Sequence, residues 1–67
     1  MLSARNQFKG VIKSVRLGNV AAEVVVQVGE LEVVSLITRT SAESLDLKPG
    51  DEVKAVIKST EVLIDKP

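Results

Sequence analysis

Three consecutive residues, Lys58, Ser59 and Thr60, all carry hydrogen-bond donors, and the stretch around them, residues 55–62, is apolar on both sides. The lysine adds a full positive charge, and the two hydroxyls and the neighbouring amides add short, directional donors. A small anion needs such a group of donors if it is to leave water and stay bound. Near the other end of the chain Ser3, Ala4, Arg5, Asn6 and Gln7 again set a hydroxyl beside a cation, just outside a strand. Two donor patches thus lie at opposite ends of the polypeptide. The plainer reading of residues 58–60 is a polar turn joining two strands, and local sequence leaves both readings open.

Other chemistries fare worse. The sequence has no histidine and no cysteine, so disulfides are excluded and a zinc or redox site lacks its commonest ligands. Lys58 and Ser59 are adjacent, and neighbouring strand residues point to opposite faces, which works against a Ser-Lys pair acting on one substrate. An enzyme is not expected. Single-stranded nucleic acid is normally held on aromatic platforms, and Phe8, on an expected core-facing position, is the only aromatic residue. Lys9, Lys13 and Arg16 make the first strand basic, as a solvated edge that discourages sheet-to-sheet pairing would be.

The elements that must hold the patches follow from period-two alternation. Residues 7–17 form the first expected strand. Phe8, Gly10 and Ile12 share a face, and the apolar phase then shifts to Val15 and Leu17, which predicts a bulge near Lys13 and Ser14. Gly18 and Asn19 make a tight turn through positive φ; by itself Asn19 needs no further role. In residues 20–28, Val20, Ala22, Val24, Val26 and Val28 line one face, and after a turn at Gly29 and Glu30 a third strand covers residues 31–38. Val25, Val34 and Leu36 make the second face apolar too, which asks for a cover such as a partner subunit. Residues 40–45 suit a short helix, with Thr40 as N-cap and Glu43 completing a capping box. Lys48, Pro49, Gly50 and Asp51 turn the chain, and residues 52–58 and 61–64 are the last strands. The resulting expectation is an all-β fold, a small five-stranded OB-like barrel with one short helix, formed by residues 1–67 as one domain.

At 67 residues, with a 45% hydrophobic fraction made almost wholly of aliphatic side chains, the core is small and assembly into an oligomer would reinforce it. Lysine plus arginine equals aspartate plus glutamate, so no global field draws in a polyanion or a membrane surface. No apolar run is long enough for a signal peptide or a membrane span. A cytoplasmic location is expected.

The Ser3, Ala4, Arg5, Asn6 patch and the 55–62 stretch, together with residues 19–24 and 44–51, resemble in that order the molbindins, the small Mop-type molybdate- and tungstate-binding proteins. The resemblance spans nearly the whole chain; it departs at Gly29 and Glu30, where family members often have a longer glycine-rich turn. It implies a ligand rather than a covalent cofactor: molybdate or tungstate, held between subunits of a hexamer built as a trimer of dimers. On this chain the implied oxyanion site comprises Ser3, Ala4, Arg5, Asn19, Val20, Lys58, Ser59 and Thr60. Arg5 and Lys58 would supply charge, Ser3, Ser59 and Thr60 hydroxyl donors, and the amides near Ala4 and Val20 the rest. A second class of site near the threefold axes would fall around Thr38. The two end patches are expected to meet only when copies of the chain assemble. Intracellular storage or homeostasis is the implied role; alternatives are a free-standing accessory module of an oxyanion transport or sensing system, and an OB-type RNA binder.

Overall fold

Alternation carries the chain through four strands in the computed structural model, which describes residues 4–67. Strands β1 (Asn6–Leu17), β2 (Ala21–Val28) and β3 (Leu31–Thr38) are followed by helix α1 (Arg39–Ser44) and strand β4 (Glu52–Ile57). They form one antiparallel sheet in the order β3-β2-β1-β4. The register of β1 against β2 slips between Ile12 and Ser14, where the apolar phase of the sequence changes. The extra residue curls the sheet and lets both Ile12 and Val15 face inward.

Ile12, Val24 and Val26 are buried at the centre, with Val15, Val28, Val33, Ile37, Leu47 and Val53 packed around them. Gly10 keeps β1 close to β2: a β-carbon there would lie 2.5 Å from the Gln27 carbonyl oxygen and 2.8 Å from a Val26 methyl group. Ala42, 3% exposed, is the one buried residue of α1. Between β3 and β4 the inner face stays open, as a groove of about 680 Å³.

Several expectations change. The strand foreseen at 61–64 is absent: Ser59–Glu61 form a 3-10 turn, and the following residues pair with no strand among the described residues. Among the described residues there are four strands, where five were expected. Leu63 and Ile64 are 92% and 88% exposed, because apolar composition permits a strand but pairing requires a free edge within reach. Phe8 is 43% exposed rather than core-facing. It sits on the part of β1 that β2 does not reach, since the β1–β2 pairing runs only from Val11 onward, and Ala55 is its small cross-strand neighbour. Val20 lies outside β2 and is 79% exposed. Strand β1 is no edge, because β2 and β4 flank it; Lys13 pairs with Glu32, and Arg16 lies 4.0 Å from Glu23.

The helix begins one residue earlier than expected, and its cap is Thr38 rather than Thr40. The Thr38 hydroxyl accepts the Ser41 amide at 3.0 Å and donates to the Ser41 hydroxyl at 2.8 Å. The shift has a tertiary cause: the Arg39 amide donates to the Val20 carbonyl at 2.7 Å, so the helical turn starts where β3 ends. Glu43, freed from a capping box, reaches Arg39 at 3.4 Å instead. At the far end the Leu47 amide returns to the Ala42 carbonyl and Asp46 takes φ 51°, the left-handed residue of a Schellman-type stop.

Candidate functional site

The sequence alternation that builds β1 and β4 also decides where the two donor patches go. The β1–β4 ladder runs from Val11 opposite Glu52 to Asn6 opposite Ile57. Arg5 immediately precedes β1 and Lys58 immediately follows β4, so both adjoin this last pair. The register thus brings the segments that carry these cations to the same end of the β1–β4 pair within one chain. Both are exposed. The ion pairs among the described residues are Lys13–Glu32, Arg16–Glu23, Arg39–Glu43 and Lys48–Asp46. None of these pairs involves Arg5 or Lys58.

Beside Lys58 the backbone changes from strand to 3-10 turn. Lys58 is extended, at φ −66° and ψ 137°, and its carbonyl accepts the Glu61 amide at 2.9 Å. A 3-10 turn leaves its first amides without internal acceptors. Here those are the amides of Ser59 and Thr60, whose exposed hydroxyls stand next to them. Across the strand boundary, the Gln7 side-chain amide donates to the Ala4 carbonyl at 2.7 Å. Arg5 forms a bend, and neither Ala4 nor Arg5 continues the strand. Ser3 lies outside the described residues.

Asn19 and Val20 belong elsewhere. They follow β1 at its other end, a path of roughly 35–40 Å at about 3.3 Å per strand residue. Their turn closes through the Gly18 amide, which donates to the Ala21 carbonyl at 2.8 Å. Positive φ is not what it uses: among the described residues only Gly29, Asp46 and Gly50 adopt it. Glycine is needed at position 18 for space, because a β-carbon would meet the Ala21 carbonyl oxygen at 2.9 Å. Arg39 holds the turn from outside, with its guanidinium Nη1 donating to the Gly18 carbonyl at 3.2 Å and its amide to Val20. Since a peptide unit is planar and its N–H and C=O point in opposite directions, the Asn19 amide faces away from Arg39.

Of the eight residues expected at the site, the fold thus groups Ala4, Arg5, Lys58, Ser59 and Thr60 at one end of β1 and Asn19 with Val20 at the other. Thr38 has its hydroxyl committed to the helix cap. Two residues that sequence reading passed over, Gln7 and Arg39, make the side-chain contacts that hold these segments. Gln7 was open to discovery as a polar residue three positions after Ala4; Arg39 was not, because its target is 21 residues away in sequence. Among the described residues no three histidine, cysteine, aspartate or glutamate side chains gather to hold a metal ion, and no helix is long and apolar enough to cross a membrane.

Residues 2–64 match the TOBE domain. The chain is 50% identical over 64 residues to molybdenum-pterin-binding protein 3 of Clostridium pasteurianum, covering 94% of both chains. Its fold superposes on a molybdate-binding protein from Sporomusa ovata with a TM-score of 0.94 at 38% identity, over 98% of each chain. It is also similar to ModG, a cytoplasmic molybdate-binding protein, in a form with molybdate bound: TM-score 0.83 and 42% identity, over 87% of this chain and 42% of that one.

Proposed function

The chain belongs to the TOBE-domain family, among its small molybdenum-pterin-binding (Mop) proteins, and on that premise we propose that it binds molybdate or tungstate, without catalysis, at sites completed between subunits. The observation that carries this reading is that Arg5 and Lys58, neither of them in an ion pair among the described residues, adjoin the same end of the β1–β4 ladder, with the Ser59 and Thr60 donors next to Lys58. A dianion seated near both cations is attracted by each. Molybdate has four acceptor oxygens and no donors, so hydroxyls, amides and cations satisfy it and carboxylates do not; no carboxylate pairs with either cation among the described residues.

The separation of Asn19 and Val20 from this cluster supports an interface. One chain cannot bring both ends of β1 to one anion, whereas a second copy can present its Gly18–Val20 turn to the first copy's Arg5 and Lys58. An oligomer, read by family resemblance as a hexamer of three dimers around OB-like barrels, also accounts for the uncovered apolar residues. Val34, Leu36, Leu63 and Ile64 are 62–92% exposed in the isolated chain, and their burial would add roughly 1.5–3 kcal/mol each. Cytoplasmic storage or homeostasis of the anion is the role that fits a binding protein of this kind.

Selectivity against sulfate is then geometric. Sulfate has the same charge and shape but shorter bonds, so in a rigid cage it cannot meet every donor, and each missed charge-assisted hydrogen bond costs about 1.5–3 kcal/mol. Tungstate, nearly the size of molybdate, escapes this penalty. Titration calorimetry tests the reading: molybdate and tungstate should bind alike, with sulfate at least about tenfold weaker. Equal affinity for all three would remove the cage.

A further inference from the structure

We infer that Gln7 is a positioning residue of the oxyanion site: by holding the Ala4 carbonyl it aims the Arg5 backbone amide and fixes the start of the Arg5 side chain. The inference rests on the proposed anion-binding reading and extends it to a residue that itself contributes no donor to the anion. Gln7 is exposed and lies on β1 opposite Val56, so its side chain is not needed to fill a core. Its Nε2 nevertheless donates to the Ala4 carbonyl at 2.7 Å, a short bond for a neutral amide. A carbonyl oxygen can only accept, which identifies the side-chain atom facing it as the nitrogen.

The consequence follows from peptide geometry. The Ala4 carbonyl and the Arg5 amide belong to one planar unit and point in opposite directions. Fixing the first on the Gln7 side turns the second away from it. The β1–β4 ladder stops at Asn6 and does not orient residues 4 and 5, so among the described residues the Gln7 bond is the hydrogen bond that restrains this segment. A wandering Arg5 would still attract any dianion electrostatically. It would no longer hold the spacing by which a longer-bonded oxyanion is preferred over a shorter-bonded one. Loss of Gln7 should therefore cost selectivity, a different signature from loss of a charge.

The test compares wild type with Gln7→Met, which keeps the length and removes the donor, and Gln7→Glu, whose carboxylate cannot donate. Molybdate and sulfate affinities are measured by titration calorimetry on the intact protein, the Arg5 amide by NMR, and apo stability by thermal unfolding. We expect Gln7→Met to weaken molybdate about tenfold, to leave sulfate nearly unchanged, to move the Arg5 amide resonance and to leave the unfolding temperature within experimental scatter. Gln7→Glu should lose more. Wild-type-like molybdate affinity in Gln7→Met, or an equal loss for both anions together with a lowered unfolding temperature, would overturn the assignment while leaving the anion site standing. A wild-type protein that binds no molybdate would instead remove the reading beneath it.

Discussion

The two ends of β1 are built on opposite plans. At the Leu17 end the connecting turn is tied down three times, by Gly18 to Ala21, by the Arg39 guanidinium to Gly18 and by the Arg39 amide to Val20. At the Asn6 end the ladder stops, Arg5 and Lys58 make no ion pair among the described residues, and a side-chain hydrogen bond from Gln7 holds the Ala4 carbonyl. The first end spends its polar groups on its own structure, and the second leaves them available. A useful reading of exposed polar residues is whether their partners are already inside the fold.

If that contrast is right, altering the Asn6 end should change binding and spare folding. The largest effect is expected for Arg5→Ala combined with Lys58→Ala, which should lower molybdate affinity at least about 100-fold by calorimetry. Thermal unfolding of the apo protein should be unchanged, because both side chains are exposed and neither is in an ion pair among the described residues. An unfolding temperature that collapses with the double change would place these cations in the architecture instead.

The opposite pattern is expected at the other end. Arg39→Met removes the hydrogen bond to Gly18 while keeping the length of the side chain, and should destabilise the protein by about 1–2 kcal/mol in denaturant unfolding. Molybdate affinity should fall less than for the cation pair, through a looser Asn19 amide. Glu43→Gln separates the two jobs of Arg39. Its 3.4 Å contact is an exposed i,i+4 ion pair, so about 0.5 kcal/mol or less is expected. A loss as large as that of Arg39→Met would mean that Glu43, rather than the carbonyl of Gly18, is what orients the guanidinium.

Much of the fold was legible. The spans of β1, β2 and β3, the turn at Gly29 and the slip near Lys13 and Ser14 follow from alternation, which is local and strong where one face is buried. Thr38 was passed over as a cap because the sequence offers an equally good local candidate in Thr40. The contact that chooses between them comes from Val20, on another element. Residues 61–64 have the composition of a strand, but composition does not supply an edge to pair with. Phe8 alternates in phase with the core and is exposed all the same, because β2 ends short of it.

The same division holds for the site. Residue types alone determined that the chain is equipped for an anion: hydroxyls and cations at both ends, no histidine or cysteine, and no net charge to attract a polymer. Those are properties of side chains and survive any folding. Which segments come together was decided by register, since the pairing of Asn6 with Ile57 brings the residues before β1 and those after β4 to one end of the sheet. The placing of Arg39 on the Gly18 carbonyl, 21 residues away in sequence, was likewise a tertiary matter, because a hydrogen bond depends on distances of a few ångströms that only the folded backbone sets.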